Sequence, residues 1–379
     1  MPPAFPIVRR SLVLAVVSAM CLTGCGRSDG TIRIGLSGPF TDPVGAPMKQ
    51  AAELAVNEIN AAGGINGHRI TLIERDDYGD PDSAVVAAAA LEQAGVVAVV
   101  GHVFSGTTLA AAPVYNGAHD PVTQISPSSS APDVTNAGDY SFRVCPSDLA
   151  HGAALARWVR DQLKLSRGAV LYLNDDYGRG IRQTFVDEFT RLQGEILESD
   201  PYLGSTPDVG PYFDRIKQRN RAQFILVAGN RSEAEEALRQ ARRRGLTMPF
   251  LGGDGLEGIE ASGALAEGTY VSAAYLPGLD TPKNRAFVET WHRKYPAAGA
   301  PNQPAAATYD IMYLLRDVIA RVGTSRKAIR DGVAGIGTRT AAFDGVTGTI
   351  AFDRNGDVPR QPVIIGQVHD GRIQIAAGK

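Results

Sequence analysis

From residue 31 onward, short β-rich runs alternate with amphipathic helical stretches, and this alternation constrains the fold more than any other feature. The first part of the pattern runs in the order strand, helix, strand, helix, strand, helix, strand over Thr31–Leu36, Pro47–Ala62, Arg69–Asp76, Pro81–Gln93, Val96–Gly101, Ser105–Ala118 and Val122–Ile125. A chain with this order forms a parallel sheet that carries helices on both faces.

The alternation restarts after Ser147. Strands are predicted at Ala169–Leu173, Phe224–Val227 and Phe250–Leu251, and helices at Arg179–Leu192, Tyr212–Arg219 and Glu233–Gly245. The chain has 379 residues, which is more than one ordinary hydrophobic core holds. The sequence therefore predicts an α/β fold with two doubly wound parallel-sheet lobes.

Further elements follow the second lobe. Helices are predicted at Lys283–Tyr295 and Ala305–Val322, and strands at Thr349–Phe352 and Val363–His369 with a hairpin turn at Asp353–Asp357 between them. These additions indicate that the chain crosses between the lobes more than once, which would form a multi-crossing hinge. The predicted bounds are 31–145 and 277–350 for lobe 1, and 146–276 and 351–379 for lobe 2.

The first residues predict the compartment. Arg9 and Arg10 precede an apolar stretch, Ser11–Leu22, which is too short to cross a bilayer, and Leu22-Thr23-Gly24-Cys25 resembles a bacterial lipobox. We therefore expect a signal peptide at 1–24, a lipid on Cys25, a polar tether at 25–30, and an extracytoplasmic lipoprotein anchored in the periplasm or on the outer face of the cell membrane. An ordinary signal peptide, or a weak anchor helix, with a chance cysteine is the alternative.

Charge and cysteine content exclude several classes of function. The chain has 38 Lys and Arg residues against 40 Asp and Glu residues, so it lacks the basic excess that nucleic-acid binding requires. After Cys21 leaves with the signal peptide and Cys25 is modified, Cys145 has no partner for an intrachain disulfide. The six histidines are scattered without metal-ligand spacing, and no cofactor is predicted.

Several segments resemble the leucine/isoleucine/valine-binding proteins, the receptor family of branched-chain amino-acid ABC importers, which have a type I periplasmic-binding fold. They occur in family order: Ile34-Gly35-Leu36-Ser37-Gly38-Pro39, Asn57 through Gly67, Asp76-Asp77, Val100-Gly101-His102, Ser126 through Pro132, Phe142-Arg143, Asp175-Asp176-Tyr177-Gly178 and Gly253-Asp254-Gly255. The resemblance implies a non-enzymatic receptor that delivers a small molecule, an amino acid first of all, to a membrane permease and ATPase complex.

Two loops that follow predicted strands point to a ligand site independently. Ser105 opens the helix after the third strand, and Ser128, Ser129 and Ser130 follow the fourth strand. Ligands of doubly wound sheets bind beyond the carboxyl ends of the strands. A hydroxyl residue at a helix start caps free amide groups, and that positive helix end also attracts a carboxylate.

The resemblance assigns roles to these residues. It implies that Ser105 and Ser130 hold the carboxylate of the ligand, while Ser128 offers a backbone carbonyl to its ammonium group. Asp254 stands where the family places the acid that pairs with the ammonium group, and Tyr177 matches a cleft aromatic residue.

Departures from the family concern the side-chain pocket. Phe104 could form part of its wall, whereas Asn230 and Val44 occupy positions that are aromatic in the branched-chain receptors. Gly79 and Phe104 stand where some members form a disulfide.

Other motifs are weaker. Gly253 through Gly258 fits a dinucleotide-loop pattern but follows a late strand, and Asp353 through Asp357 begins like a calcium loop without its turn glycine. His102 near Ser105 could suggest a hydrolase, although no nucleophile-elbow motif surrounds the serine. The alternatives to transport are a sensory receptor subunit that binds an amide or another small solute and, ranked well below it, a hydrolase.

Overall fold

The structure is a computed structural model that describes residue 1 and residues 30–204, 208–219 and 221–378. The predicted lipid-attachment residue Cys25 lies outside these residues, as does nearly all of the predicted signal peptide and tether. No helix in the described residues is both long enough and apolar enough to cross a membrane.

The structure contains every predicted strand and helix, together with several that the sequence did not predict. The strands are β1 (Ile32–Gly38), β2 (Ile70–Asp76), β3 (Ala98–Val100), β4 (Thr123–Ser126), β5 (Ser141–Arg143), β6 (Arg167–Leu173), β7 (Glu195–Tyr202), β8 (Phe224–Ala228), β9 (Phe250–Gly252), β10 (Tyr270–Ala273), β11 (Phe343–Asp344), β12 (Thr349–Ile350), β13 (Ile364–His369) and β14 (Arg372–Ile375). The helices are α1 (Ala46–Ala61), α2 (Pro81–Gln93), α3 (Ser105–Gly117), α4 (Asp148–Arg157), α5 (Asp176–Arg191), α6 (Gly210–Arg219), α7 (Arg231–Arg243), α8 (Pro282–Lys294), α9 (Gln303–Val322) and α10 (Arg326–Ala334).

The first sheet is parallel throughout and has the order β2-β1-β3-β4-β5. Side chains alternate between its two faces, as a pleated strand requires. Ala98 and Val100 pack with Ile34 in one core that includes α1, α9 and α10, whereas Val99 packs on the other face with α2 and α3. Helices on both faces bury the sheet completely, which is the doubly wound arrangement.

The second sheet has the order β14-β13-β10-β9-β8-β6-β7. Strands β6 to β10 pair in parallel, whereas β13 runs antiparallel to β10, and β14 runs antiparallel to β13. Leu171 and Val227 face a core formed with α6 and α7, while Val170 and Leu226 face a core formed with α4 and α5. This sheet is therefore also covered on both faces. Its strands β13 and β14 differ from the prediction, because they pair antiparallel to their neighbours.

The chain passes between the two sheets three times. It leaves the first sheet after β5, returns from β10 through α8 to α9 and α10, and reaches β13 after β12. Residues of α9 and α10 lie in the same core as β1 and β3, which places these helices with the first sheet. The two halves are thus joined by several segments, the arrangement expected of a hinge.

Two predictions about the last crossing are wrong. Phe352 and Val358 were placed in lobe 2, but both are buried in the core of the first sheet, and the Phe352 ring packs edge-on against Phe142 at 5.3 Å. The turn at Asp353–Asp357 forms, but the strands on its two sides do not pair with each other, so it is not a hairpin turn. Strand β12 pairs with β11, whereas β13 pairs with β10 and β14. Strands β12 and β13 lie apart because Ile350 of β12 is buried in the core of the first sheet, whereas β13 belongs to the second sheet.

Candidate functional site

A cavity of about 660 Å³ lies at the carboxyl ends of the strands of both sheets. The segments that follow β1, β2, β3 and β4 line it on one side, and those that follow β6, β8 and β9 line it on the other. Because parallel strands all end at the same edge of a sheet, their following loops collect there, and this is where doubly wound folds bind ligands.

The structure brings almost the whole predicted site together. All of the predicted ligand-binding residues except Ser129 line the cavity, namely Phe104, Ser105, Ser128, Ser130, Tyr177, Asn230 and Asp254. They come from both sheets, so a small molecule in the cavity would contact both halves of the protein.

The start of α3 forms one wall of the site. The N-cap position is held by Phe104, which offers no side-chain cap, and the Ser105 hydroxyl instead accepts a hydrogen bond from the Ala131 amide at 3.1 Å. The prediction that Ser105 caps this helix is therefore wrong, because Ser105 has already entered the helix. The first-turn amides have neither an intrahelical acceptor nor a side-chain cap, which suits this end of α3 to an anion.

The serine loop after β4 is held in place by a buried hydroxyl. Ser126 donates a hydrogen bond to the His102 carbonyl at 2.6 Å and accepts one from the Ser129 amide at 2.9 Å. Ser129 is fully buried, and its hydroxyl is hydrogen-bonded to Thr108 at 2.6 Å and to the Val103 carbonyl at 3.1 Å. Ser129 therefore anchors the loop to α3 and does not face the cavity, which corrects its predicted role.

On the opposite wall, Tyr177 positions the acid of the Gly253-Asp254-Gly255 loop. The Tyr177 hydroxyl donates to Asp254 Oδ1 at 2.9 Å and accepts from the Gly255 amide at 2.7 Å. A Cβ atom on Gly253 or Gly255 would lie 2.4 Å or 2.6 Å from the Tyr177 side chain. The two glycines therefore allow the tyrosine to reach the loop, which explains the motif without a dinucleotide.

Glu257 is a cavity residue that the sequence analysis missed. Its Oε1 accepts a hydrogen bond from the Gln303 amide at 2.5 Å, and the Gln303 side chain donates to the Pro127 carbonyl at 2.6 Å. Burial raises the pKa of Glu257 to about 8. These bonds connect the loop after β9 in the second sheet to α9 and the serine loop beside the first sheet.

Asp148 and His151, both fully buried on α4, lie behind Asp254 and were also missed. The sequence around Asp148 is typical of an acidic residue in the first turn of a helix, after the capping residue Ser147. No local pattern marks either residue, because their neighbours come from distant parts of the chain.

The His102 ring is hydrogen-bonded to residues other than Ser105. Its Nδ1 lies 2.6 Å from Asp77 Oδ2 and its Nε2 lies 3.3 Å from the Tyr115 hydroxyl, with the ring fully buried. Both ring nitrogens are thus engaged by other groups. This geometry favours the predicted packed histidine over a hydrolase.

The remaining wall is apolar where it approaches the first sheet. Val44, Val103 and Phe104 line the cavity there, and Asn230 lines it from the second sheet. A Cβ atom on Gly79 would lie 2.9 Å from the Phe104 ring, so the aromatic ring packs directly on this glycine. The ring thus occupies the region between the two positions where some relatives are expected to form a disulfide.

The family model for the periplasmic binding proteins matches residues 31–372. The chain belongs to this family. A leucine-, isoleucine-, valine-, threonine- and alanine-binding protein of Pseudomonas aeruginosa is 28% identical over 92% of this chain and 93% of its own length. An amino acid binding protein of the same organism is 32% identical over 73% of this chain and 75% of its own length.

Solved structures show the same architecture. The branched-chain amino acid transporter substrate binding protein of Streptococcus pneumoniae, in complex with isoleucine, has a TM-score of 0.83, 28% identity, and coverage of 92% of this chain and 99% of that one. A leucine binding protein of Thermotoga maritima has a TM-score of 0.82 and 28% identity, with coverage of 92% and 98%. These findings confirm the predicted fold class and the predicted relationship to the branched-chain amino-acid receptors.

We predict that Tyr177→Phe lowers the free energy of unfolding by about 1–3 kcal/mol, because the half-buried Gly255 amide and the Asp254 carboxylate each lose a hydrogen-bond partner. Urea unfolding followed by circular dichroism measures the change. Tyr78→Phe is the control, since Tyr78 also lines the cavity but is 68% exposed; its stability should stay within about 0.5 kcal/mol of wild type. Equal stability of the two variants would show that Tyr177 does not hold this loop.

Proposed function

We propose that this periplasmic binding protein captures an α-amino acid in the cavity and presents it to an ABC importer. The observation that carries the proposal is the opposite chemistry of the two walls. Amide and hydroxyl donors lie beside the first sheet, and a carboxylate, Asp254, lies beside the second. An α-amino acid carries a negative and a positive group close together, so it can satisfy both walls at once.

The carboxylate of the ligand would bind at the start of α3. Ser105 and Ser130 line the cavity there, and the uncapped first-turn amides of α3 are an anion site of the kind that helix N-termini form. Ser128 lies beside them with its backbone carbonyl available to the ammonium group by analogy with the family.

The ammonium group would bind at Asp254. Tyr177 donates to Oδ1 of this carboxylate, which orients it and leaves acceptor capacity on both oxygens. A charge-assisted hydrogen bond between ammonium and carboxylate is stronger than a neutral one, and a closed cleft that excludes water strengthens it further.

The charges of the cavity favour a ligand with a positive group over a purely anionic one. Arg179 pairs with Asp176 at 2.6 Å, and Arg231 pairs with Glu235 at 2.8 Å. Four other acidic residues that line the cavity have no Lys or Arg ion-pair partner among the described residues: Asp42, Asp175, Glu233 and Asp254. A second negative charge on the ligand would therefore meet repulsion on most sides.

The ligand side chain would lie against Val44, Val103 and Phe104. These residues form an apolar wall, which suits an aliphatic side chain. The isoleucine complex of the Streptococcus pneumoniae relative supports the same class of ligand. Binding across both walls would favour hinge closure, because only the closed form contacts the ligand from both sides.

We predict that Asp254→Asn weakens binding of the preferred amino acid by at least about thirtyfold. Removing one partner of a buried charged pair costs roughly 2–5 kcal/mol, and about 1.4 kcal/mol corresponds to one decade in Kd. Isothermal titration calorimetry on the folded variant, with leucine, isoleucine, valine and alanine as ligands, measures the change.

Asp176→Asn provides the matched control. Asp176 lines the same cavity but is neutralised by Arg179, so its substitution should change Kd by about twofold or less. If folded Asp254→Asn binds an α-amino acid as tightly as wild type, the ammonium site is placed wrongly.

The family acts outside the cytoplasm, and we propose that a lipid on Cys25 anchors this member to a membrane. The support comes from the sequence Leu22-Thr23-Gly24-Cys25 directly after an apolar stretch. One acyl chain gives only reversible membrane binding, so several chains are expected for stable anchoring.

We predict that Cys25→Ala moves the protein from the detergent phase to the aqueous phase in Triton X-114 partitioning, because no other cysteine follows the apolar stretch closely. Cys145→Ala is the control: Cys145 is buried in the fold, so this variant should remain in the detergent phase. Continued partitioning of Cys25→Ala with the detergent would rule out this lipidation site.

A further inference from the structure

Asp148 is the most unusual buried group in the structure. It is the first residue of α4 and is fully buried. Among the residues that the structure describes, neither oxygen of its carboxylate makes a hydrogen bond of good geometry, and only the nearby Ser130 hydroxyl offers a weaker contact that favours the charged form. A buried carboxylate that is charged and unpaired costs several kcal/mol, and such groups hold a proton instead.

The surroundings of Asp148 contain more acid than base. The titratable or charged groups that interact with it are Asp254 after β9, Asp175 and Tyr177 at the start of α5, and Arg143 and Cys145 at the end of β5. His151 follows Asp148 by one turn on the same helix. The one guanidinium in this set is committed elsewhere. Arg143 pairs with Asp357 at 2.7 Å and donates to the carbonyls of Ser130 and Ala131.

His151 lies beside Asp254, one helical turn after Asp148. Its Nδ1 lies 3.0 Å from the Ser272 hydroxyl, and its Nε2 lies 3.6 Å from Asp254 Oδ2 without a hydrogen bond. Asp254 itself lines the cavity. Asp148 and His151 therefore both interact electrostatically with Asp254, which connects the buried interior of the second half to the cavity.

The pKa shifts agree with this geometry. Burial and then the Asp254 carboxylate raise the pKa of Asp148 well above its usual range, while Ser130 and Arg143 oppose the shift. Burial lowers the pKa of His151, which Asp254 partly opposes. The two shifts have the same sense: burial favours the neutral imidazole of His151 and the protonated carboxyl group of Asp148.

We propose that Asp148 is a proton site linked to the ligand cavity, protonated while the cavity is empty and partly deprotonated when a ligand ammonium group binds Asp254. The linkage rests on the proposed binding of an α-amino acid. The ligand brings a positive group to Asp254, and Asp148 loses a proton to the solvent. The net charge of this region therefore changes less than it would if Asp148 kept its proton.

The sign of the linkage follows from electrostatics. An opposite charge nearby favours the charged form of a carboxyl group, so the bound ammonium lowers the pKa of Asp148. Ligand affinity must then rise with pH between the two pKa values of Asp148, by at most about tenfold per pH unit for one proton.

The first arm of the test uses the ligand-free protein. An acid whose pKa is raised by folding makes the native state bind more protons than the unfolded state, so native stability falls as pH rises towards the raised pKa. Asp148→Asn mimics the protonated form and removes this loss. Thermal unfolding from about pH 5 to about pH 8 should show the variant gaining stability over wild type as pH rises.

Asp139→Asn, at an exposed position, serves as the control and should follow the wild-type pH dependence. If Asp148→Asn does not fold, ligand-free Asp254→Asn replaces it, and its pH dependence should be weaker than that of wild type. A constant difference between Asp148→Asn and wild type, or an unchanged pH dependence in Asp254→Asn, would overturn the proton site.

The second arm titrates wild type and Asp148→Asn with L-leucine in phosphate and in Tris, whose heats of ionisation differ. Wild type should release between zero and one proton per leucine bound, and its affinity should rise with pH. Asp148→Asn should release fewer protons than wild type, and any release that remains is assigned to Glu257, a cavity-lining carboxyl group whose pKa is also raised by burial.

The two arms separate the two claims. Binding of L-leucine to wild type without proton release would overturn the linkage while leaving the proposed function intact. Failure of leucine to bind, with the first arm as expected, would contradict the proposed ligand and its linkage but support the buried proton.

Discussion

The parallel direction of the strands is the constraint on which the cleft depends. Parallel neighbours require helical crossovers, so every strand of β1 to β4 ends at one edge and sends its following loop into the same region. The strands β6, β8 and β9 do the same from the second sheet. Because these two edges both border one cavity, residues far apart in sequence, such as Ser105 and Asp254, become the two sides of a single site.

Hydrogen bonds within the protein determine which polar side chains remain available to a ligand. The hydroxyls of Ser126 and Ser129 form hydrogen bonds that hold the serine loop in place. Ser128 and Ser130 instead line the cavity. Tyr177 orients Asp254 without neutralising it, so the cavity keeps a carboxylate that a cationic group can pair with. Asp148, farther inside, also has no uncommitted cation beside it, because Arg143 pairs with Asp357.

The fold and most of the residues that line the cavity could be predicted, because their signals are local. The bounds of α2 coincide with those predicted, since Asp80 caps its start by accepting from the Ser83 amide and Pro81 occupies its first turn. Strand β7 was missed, because Glu195–Tyr202 at the sheet edge is mostly half-buried and lacks a hydrophobic run. Glu257, Asp148 and His151 could not be found, because each depends on partners brought together only by the crossings between the sheets.

The most direct test of the two-walled site is a crystal structure of the protein with a bound α-amino acid that calorimetry has identified. The account predicts that the ammonium group of the ligand lies within about 3 Å of the Asp254 carboxylate. The carboxylate of the ligand should lie within about 3 Å of amide or hydroxyl donors at Ser105 and Ser130. A ligand bound with its carboxylate towards the second sheet, or bound outside this cavity, would contradict it.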